Sequence, residues 1–252
     1  MFDPLEPRPS AVDECEAAIR HAIVTGAALP GTRLPPERKL AEDFGVNRVT
    51  VRTALSRLAA ANLLRVRQGS GYVVQDFRAV GGPELIPELF PDAAPLAASL
   101  DVVADLLAVR RQLARTALER LVARAASDGV DLAPVQRAID RLAALAATRA
   151  DDRALADADL AVVGALLDAT GSTVLKLCLN PVQRVIRALA PLRAAIYAAP
   201  ETNVAAYRAL LALLASGAPA AAVDRVAALL AERDAATLRK LATHPAAEDA
   251  PP

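Results

Sequence analysis

The sequence predicts a mainly α-helical protein, with an N-terminal winged helix-turn-helix followed by an all-helical antiparallel bundle of six or seven helices. Two observations carry this prediction. Residues 34–72 have the pattern of short helices followed by a tight basic hairpin, and apolar residues recur with helical periodicity from about Leu100 to Leu241. Of the 252 residues, 54% are hydrophobic and only 3% are aromatic, so we expect a core built mostly from Ala, Leu and Val.

Turn residues delimit the first two helices. We expect the first helix from about Val12 to Thr25, because Gly26 follows its apolar stripe and is a suitable stop. Pro36 suits the first turn of a second, short helix over Glu37–Phe44, which should end at Gly45.

The third helix and the hairpin follow directly. Asn47 is a suitable N-cap for a helix that runs to about Ala61, and its inward positions are Val51, Leu55 and Leu58. The segment LLRVRQGSGYVVQDF then alternates on both sides of a Gly-Ser-Gly turn, which predicts a two-stranded β-hairpin, the wing.

The chain divides into an N-terminal domain over residues 1–78, a linker over 79–99, a helical domain over 100–245 and a tail over 246–252 that we expect to be disordered. Proline and glycine in the linker allow one short helix there. The helices predicted in the third part are Leu100–Ala126, Ala133–Ala147, Asp152–Ala169, Ser172–Ala198, Glu201–Ala215 and Ala218–Leu241. Pro181 and Pro191 should kink or split the fourth of them.

Charge is distributed unevenly although the net charge is zero. Residues 33–78 contain nine basic and four acidic residues, so this segment is +5 and the remainder is −5. A basic module on a slightly acidic body favours a nucleic-acid partner for the module alone. Two distant cysteines, the absence of a signal-peptide pattern and the absence of an apolar span predict a cytoplasmic protein with no membrane segment.

The start of the third helix carries side chains suited to the major groove. Asn47, Arg48, Thr50 and Arg52 share one wide face, opposite the inward Val51. Arginine can donate two hydrogen bonds to guanine, whereas Asn and Thr can contact other base edges or phosphate.

The neighbouring elements supply further candidate DNA contacts. Arg38, at the start of the second helix, can hold a phosphate or reach a base from the side. Gln68, Gly69 and Ser70 form the wing tip, where the backbone can approach DNA closely, and Arg67 adds attraction that is independent of sequence. The alternative is an ordinary solvated amphipathic helix, which the hairpin that follows at once disfavours.

The segment PGTRLPPERKLAEDFGVNRVTVRTALSRLAAANLLRVRQGSGYVV resembles the DNA-binding domain of the GntR family of bacterial transcription regulators. The resemblance covers most of residues 12–76, and it implies DNA contacts from Arg38, Arg48, Thr50 and Arg52, with the wing at Gln68 and Gly69. Asn47 stands where the family often has Ser or Thr.

The helical half is similar in layout to the fatty-acid-regulator-like (FadR/FCD) branch of that family, through VADLLAVRRQLARTALERLVARAA and DADLAVVGALLDATGSTVLKLCL. Many members of this branch hold a metal with one Asp and three His. Here Asp159 occupies the acidic position, but Val163, Tyr207 and Leu229 stand where the His ligands would be. We therefore expect no metal and no cofactor.

The resemblance implies a small-molecule effector instead, either a carboxylate metabolite or an acyl-CoA. An anionic group needs basic partners, and the candidates are Arg110 and Arg111 on the opening helix and Arg184 and Arg187 on the fourth. The alternative for each is a surface or interhelical arginine. Tyr207 can offer a hydroxyl or pack in the bundle, and Asp159 can be a ligand or a solvated capping carboxylate.

These features predict a ligand-responsive regulator, a repressor, that binds a pseudo-palindromic DNA operator as a homodimer. The alternative is a DNA-binding scaffold without an effector, whose helical domain only dimerises. An enzyme is disfavoured, because the sequence has no nucleophile elbow, no Gly-rich phosphate loop and no cluster of His and carboxylates.

Overall fold

A computed structural model describes residues 10–67, 71–90, 99–127, 129–215 and 221–243. The chain separates into two units, Met1–Leu89 and Phe90–Pro252. The predicted wing tip at residues 68–70 and the predicted tail at 246–252 lie outside the described residues. No described helix is both long and apolar enough to cross a membrane.

The N-terminal unit has the helix-helix-helix-hairpin order that the sequence predicts. Its elements are α1 (Ala11–Val24), α2 (Glu37–Phe44), α3 (Arg48–Ala60), β1 (Leu64–Arg67), β2 (Gly71–Val74), α4 (Phe77–Val80) and a 3-10 helix (Pro83–Leu89). The start of α1 is one residue earlier than expected because Ser10 and Asp13 form a capping box, in which each side chain accepts from the other residue's backbone N–H.

The turn between α2 and α3 follows from two residues. Gly45 ends α2 with φ of 65°, a left-handed conformation that glycine adopts without steric cost. Asn47 then caps α3, as predicted, by accepting from the Thr50 backbone N–H at 2.9 Å. These two residues fix the direction in which α3 leaves α2.

The hairpin is antiparallel and pairs Leu64 with Val74 at one end and Arg67 with Gly71 at the other. Leu64 and Val74 are buried, so the open end of the hairpin joins the core. A third extended segment, not predicted from the sequence, pairs with β2: Arg33 forms an isolated bridge with Val73. Strand β2 is therefore paired both with β1 and with the segment at Arg33.

The core of this unit lies where α1, α3 and the hairpin meet. Val51, Leu55 and Leu58 are fully buried, as predicted. Leu85 joins the same cluster, although it belongs to the segment expected to be a linker. The 3-10 helix that carries Leu85 is thus part of the N-terminal unit, and Arg20 of α1 lies 3.9 Å from Glu88 at its end.

The second unit contains seven helices within its described residues, and this confirms the helical fold class. They are α5 (Leu100–Ser127), α6 (Ala133–Ala147), α7 (Asp152–Thr170), α8 (Thr173–Ala188), α9 (Ala190–Ile196), α10 (Pro200–Ala215) and α11 (Ala221–Thr243). The span predicted as Ser172–Ala198 is split at Leu189, where the backbone is extended and Pro191 opens the first turn of α9. Pro181 stays inside α8.

Helix α5 packs against α11, and α6 packs against α7. Leu107 and Leu121 of α5, Ile139 and Leu142 of α6, and Leu192 of α9 are fully buried between the helices. Burial of each such side chain contributes about 1.5–3 kcal/mol to folding. Leu121 also lines a cavity in this unit.

Candidate DNA-reading surface and effector cavity

The exposed face of α3 carries Arg48, Thr50 and Arg52 on the side opposite the buried Val51 and Leu55. Arg48 is exposed, and among the described residues its side chain makes no hydrogen bond or ion pair. Arg48 is therefore available to a ligand outside the protein.

Arg52 is held in place by a carboxylate on the neighbouring helix. Its Nε lies 3.2 Å and 3.1 Å from the two Glu37 carboxylate oxygens, and its Nη2 lies 2.8 Å from Oε2. The hydrogen bond to Glu37, and then the negative charge of Glu37, raise the pKa of Arg52 above its ordinary value. This fork orients a side chain that is still mostly exposed, so Glu37 positions a candidate base-reading group.

Asn47 and Thr50 are partly committed to each other. The Asn47 side-chain oxygen accepts from the Thr50 backbone N–H at 2.9 Å and from the Thr50 hydroxyl at 3.2 Å. The amide N–H groups of Asn47 remain as donors. These two residues thus start the helix as well as lining its exposed face.

The remaining predicted contacts lie around α3. Arg38 is exposed on α2, with its Nη1 3.7 Å from the Glu42 carboxylate. Arg67 is exposed at the tip end of β1. Gln68, Gly69 and Ser70 fall outside the described residues.

Sequence reasoning missed Val49, which is 71% exposed between Arg48 and Thr50. An apolar residue inside an amphipathic helix is normally assigned to the core, and only its offset from the stripe of Val51 and Leu55 could have revealed it. Arg57, counted among the basic residues, lies elsewhere: its Nη1 is 2.8 Å from Asp13 and 3.4 Å from Glu16, so it joins α3 to α1.

The helical unit contains a partly open cavity of about 340 Å³. Its wall is mostly apolar and includes Leu118, Leu121, Leu160, Leu166, Val182 and Ile186. Its polar side chains include Arg110, Asp159, Asn203, Tyr207, Arg233 and Asp234, which come from α5, α7, α10 and α11. A volume of this size, with a few converging polar groups, is typical of a small-molecule site.

Asp159 is buried at the centre of the polar cluster, so it is not the solvated or capping carboxylate that the alternative interpretation predicted. The Tyr197 hydroxyl donates to its Oδ2 at 3.1 Å, and the Asn203 amide lies 3.5 Å from its Oδ1. Burial raises the pKa of Asp159, while hydrogen bonds from Tyr207 and Tyr197 and the charges of Arg110 and Arg233 oppose that rise.

Asp234, which sequence reasoning also missed, holds two of the predicted arginines. Its carboxylate accepts from Arg110 and from Arg111, each at 2.6 Å, and its side chain is only 6% exposed. Arg110 lines the cavity, whereas Arg111 does not. No pattern in the sequence joins residues 124 positions apart.

Arg184 and Arg187, the other two predicted effector-binding arginines, are not among the residues that line the cavity. Both lie on the exposed side of α8, and Arg187 contacts the Asp157 carboxylate at 3.0 Å. The cavity side of α8 carries Val182 and Ile186 instead. Helical spacing placed the two arginines on one face, but it did not indicate which face meets the cavity.

Leu229, which the sequence places at the position of the third His ligand, does not face the cavity. Val163 and Tyr207 line the cavity, but Leu229 is 49% exposed and lies outside it, and Leu230 lines the wall instead. One residue on a helix corresponds to a rotation of about 100°. Within the part of the chain that the structure describes, no group of three or more His, Cys, Asp or Glu side chains is placed to hold a metal ion.

Comparisons with known proteins match both units. A model of bacterial regulatory proteins of the gntR family matches residues 11–74, and a model of the FCD domain matches residues 105–243. LutR of Bacillus subtilis, an HTH-type transcriptional regulator, is 33% identical over 164 residues, which cover 65% of this chain and 70% of LutR.

Other relatives are similar mainly in the N-terminal unit. Mce2R of Mycobacterium tuberculosis, an HTH-type transcriptional regulator, is 48% identical over 80 residues. The match covers 32% of this chain and spans 33% of the length of Mce2R. The solved structure of Lar, which controls expression of the Listeria monocytogenes agr system, covers 94% of this chain and 98% of its own, with a TM-score of 0.59 and 17% identity. The likeness to Lar concerns the fold alone.

Proposed function

We propose a function from one premise: this chain belongs to the gntR family of bacterial regulatory proteins and carries an FCD domain. It is a transcriptional regulator and not an enzyme. We propose that it binds a pseudo-palindromic operator as a homodimer and represses by occupying that site, and that a small anionic effector in the helical unit controls this binding.

One observation carries the DNA-binding proposal: Arg48 and Arg52 are both exposed at the start of α3, and Arg52 is oriented by the Glu37 fork. A helix presented in this way can enter the major groove and donate to guanine edges. Val49, exposed beside them, can make an apolar contact with a thymine methyl group. Arg38, Asn47, Thr50, Arg67 and the wing tip at Gln68, Gly69 and Ser70 are proposed as the remaining contacts.

The size of the cavity supports a small carboxylate as the effector and disfavours an acyl-CoA. Its volume of about 340 Å³ lies at the lower end of the range for small-molecule pockets, about 300–1,000 Å³. Arg110, Asp159 and Tyr207 of the predicted set face this space. A coenzyme A thioester would have to leave much of its polar part outside. Effector and operator would then be coupled reciprocally, by about 1–3 kcal/mol.

Selection of duplexes from a random pool tests the regulator proposal. Because a twofold dimer presents two copies of α3, we expect the enriched duplexes to contain an inverted repeat whose half-sites lie one or more helical turns apart. Native mass spectrometry should give two chains per duplex. Enrichment of a single unrepeated site, bound by one chain, would contradict the dimeric proposal.

The rival proposal is a scaffold whose helical unit only dimerises. The polar groups that line the cavity favour an effector over this alternative. Operator affinity, measured with and without small carboxylates, distinguishes the two proposals. An effector-controlled regulator changes its affinity when the effector binds, whereas a scaffold keeps the same affinity with every carboxylate.

A further inference from the structure

The cavity contains a buried acceptor that lacks a donor. Asn203 is 2% exposed, and its amide nitrogen is directed to Asp159 Oδ1. Its other polar atom, Oδ1, has no hydrogen-bond partner among the residues that the structure describes. A buried acceptor without a donor is destabilising, so Oδ1 provides a binding position for a hydroxyl or an N–H group.

The cavity also contains an arginine that forms no ion pair with the described residues. Arg110 is committed to Asp234 at 2.6 Å, whereas Arg233 lines the cavity without a hydrogen bond or ion pair to any described residue. Arg233 is near enough to Asp159 for its charge to lower the pKa of that carboxyl. An anionic group on the ligand could form a charge-assisted hydrogen bond with the Arg233 guanidinium.

Both positions belong to the lining of one cavity and both act on the same carboxyl, because Asn203 donates to Asp159 and Arg233 acts on it electrostatically. Their chemistry differs: one requires a donor, and the other requires an anion. A neutral hydroxyl can donate to Asn203 Oδ1 without bringing a further positive charge into the cavity that holds Arg233. The remaining wall is apolar, including Leu118, Leu160 and Ile186.

We propose that the cavity binds a hydroxycarboxylate with an apolar chain, whose carboxylate pairs with Arg233, whose hydroxyl donates to Asn203 Oδ1, and whose chain lies against the leucine-rich wall. This inference rests on the proposed function, since it gives the chemical class of the effector. A buried water molecule would satisfy Asn203 equally well in the free protein. That alternative predicts that a hydroxyl on the ligand adds no affinity.

Titration calorimetry on the full chain distinguishes a ligand hydroxyl at Asn203 Oδ1 from a bound water molecule. The probes are octanoate, its α-hydroxy and β-hydroxy derivatives, and its α-oxo derivative, which can only accept. We expect one of the two hydroxy acids to bind about tenfold more tightly than octanoate and the oxo acid, because its hydroxyl reaches Asn203 Oδ1 and the other two probes have no hydroxyl donor. Asn203→Ala should reduce this difference to about twofold or less.

Arg233→Leu should lower the affinity for every carboxylate probe by about tenfold or more. The ratio of the affinities for the hydroxy acid and octanoate should stay unchanged. Arg239→Ala is the matched control, because Arg239 is exposed on the same helix and lies outside the cavity. If Asn203→Ala does not fold, the four probes on the unaltered chain together with Arg233→Leu decide the question.

Equal affinity for octanoate and both hydroxy acids, or no binding of any probe, overturns the inference. Operator binding measured on the same samples distinguishes failure of the ligand inference from failure of the proposed function. If operator preference persists while the hydroxyl effect is absent, only the ligand class is wrong. If operator preference is absent as well, the proposed function fails together with the inference.

Discussion

Replacing Arg52 with alanine should weaken operator binding by about 1–3 kcal/mol per half-site and relax the preference for one base pair in each half-site. Arg52 is already oriented by two Glu37 oxygens, so little rotamer freedom is lost when it donates to a base. Arg48→Ala should have an effect of the same size at a neighbouring base pair. Fluorescence anisotropy with the selected operator and its single-base variants measures both quantities.

Two controls distinguish base reading from general attraction. Arg67→Ala should weaken binding to all duplexes alike and lower the salt dependence, as expected for a phosphate contact. Arg57→Ala should leave operator binding nearly unchanged, because Arg57 lies on the same helix but pairs with Asp13 and Glu16 of α1. If Arg52→Ala keeps full affinity and full base preference, the placement of the reading face on α3 is wrong.

Replacing Asp234 with alanine should lower the free energy of unfolding of the helical unit by about 2–4 kcal/mol. The carboxylate joins α11 to α5 through Arg110 and Arg111, and its loss leaves two arginines close together without a partner. Removing one member of a fully buried ion pair typically costs about 3–5 kcal/mol. We expect less here because the two arginine side chains are 23% and 25% exposed. Urea unfolding followed by circular dichroism gives the change.

Asp224→Ala is the matched comparison for this substitution. Asp224 also links α11 to α5, through Arg115 at the same 2.6 Å, but its side chain is 64% exposed. An exposed pair contributes about 0–1 kcal/mol, since water screens both charges. Equal destabilisation by the two substitutions would show that burial of Asp234 has no special role.

The sequence predicted much of the fold because local signals agree with the packing. The observed α2 and α6 have the predicted bounds. Pro36 and Gly45 flank α2, and Pro134 lies in the first turn of α6. The N-cap of α3 was also predicted, because an Asn before an amphipathic run has a local physical role. Most of the other helix ends lie within two residues of the predicted bounds, which is the usual uncertainty in assigning helix ends.

The sequence did not predict which polar side chains pair with each other, because helical periodicity carries no information on contacts between distant helices. Glu37 and Arg52 are 15 residues apart on different helices, and Asp234 is 124 residues from Arg110. Their pairing follows from how α2 meets α3 and how α5 meets α11. For the same reason, the arginines of α8 could be placed on a common face but not on the correct side of that helix.

Competition between duplexes at about 150 mM salt is the most direct test that the exposed arginines of α3 read DNA sequence. With the full chain and the operator selected from the random pool, we expect binding at least about 10³-fold tighter than to random duplex of the same length. Equal affinity for the two duplexes would mean that the protein binds DNA only through its charge, and would contradict the proposed role of Arg48 and Arg52.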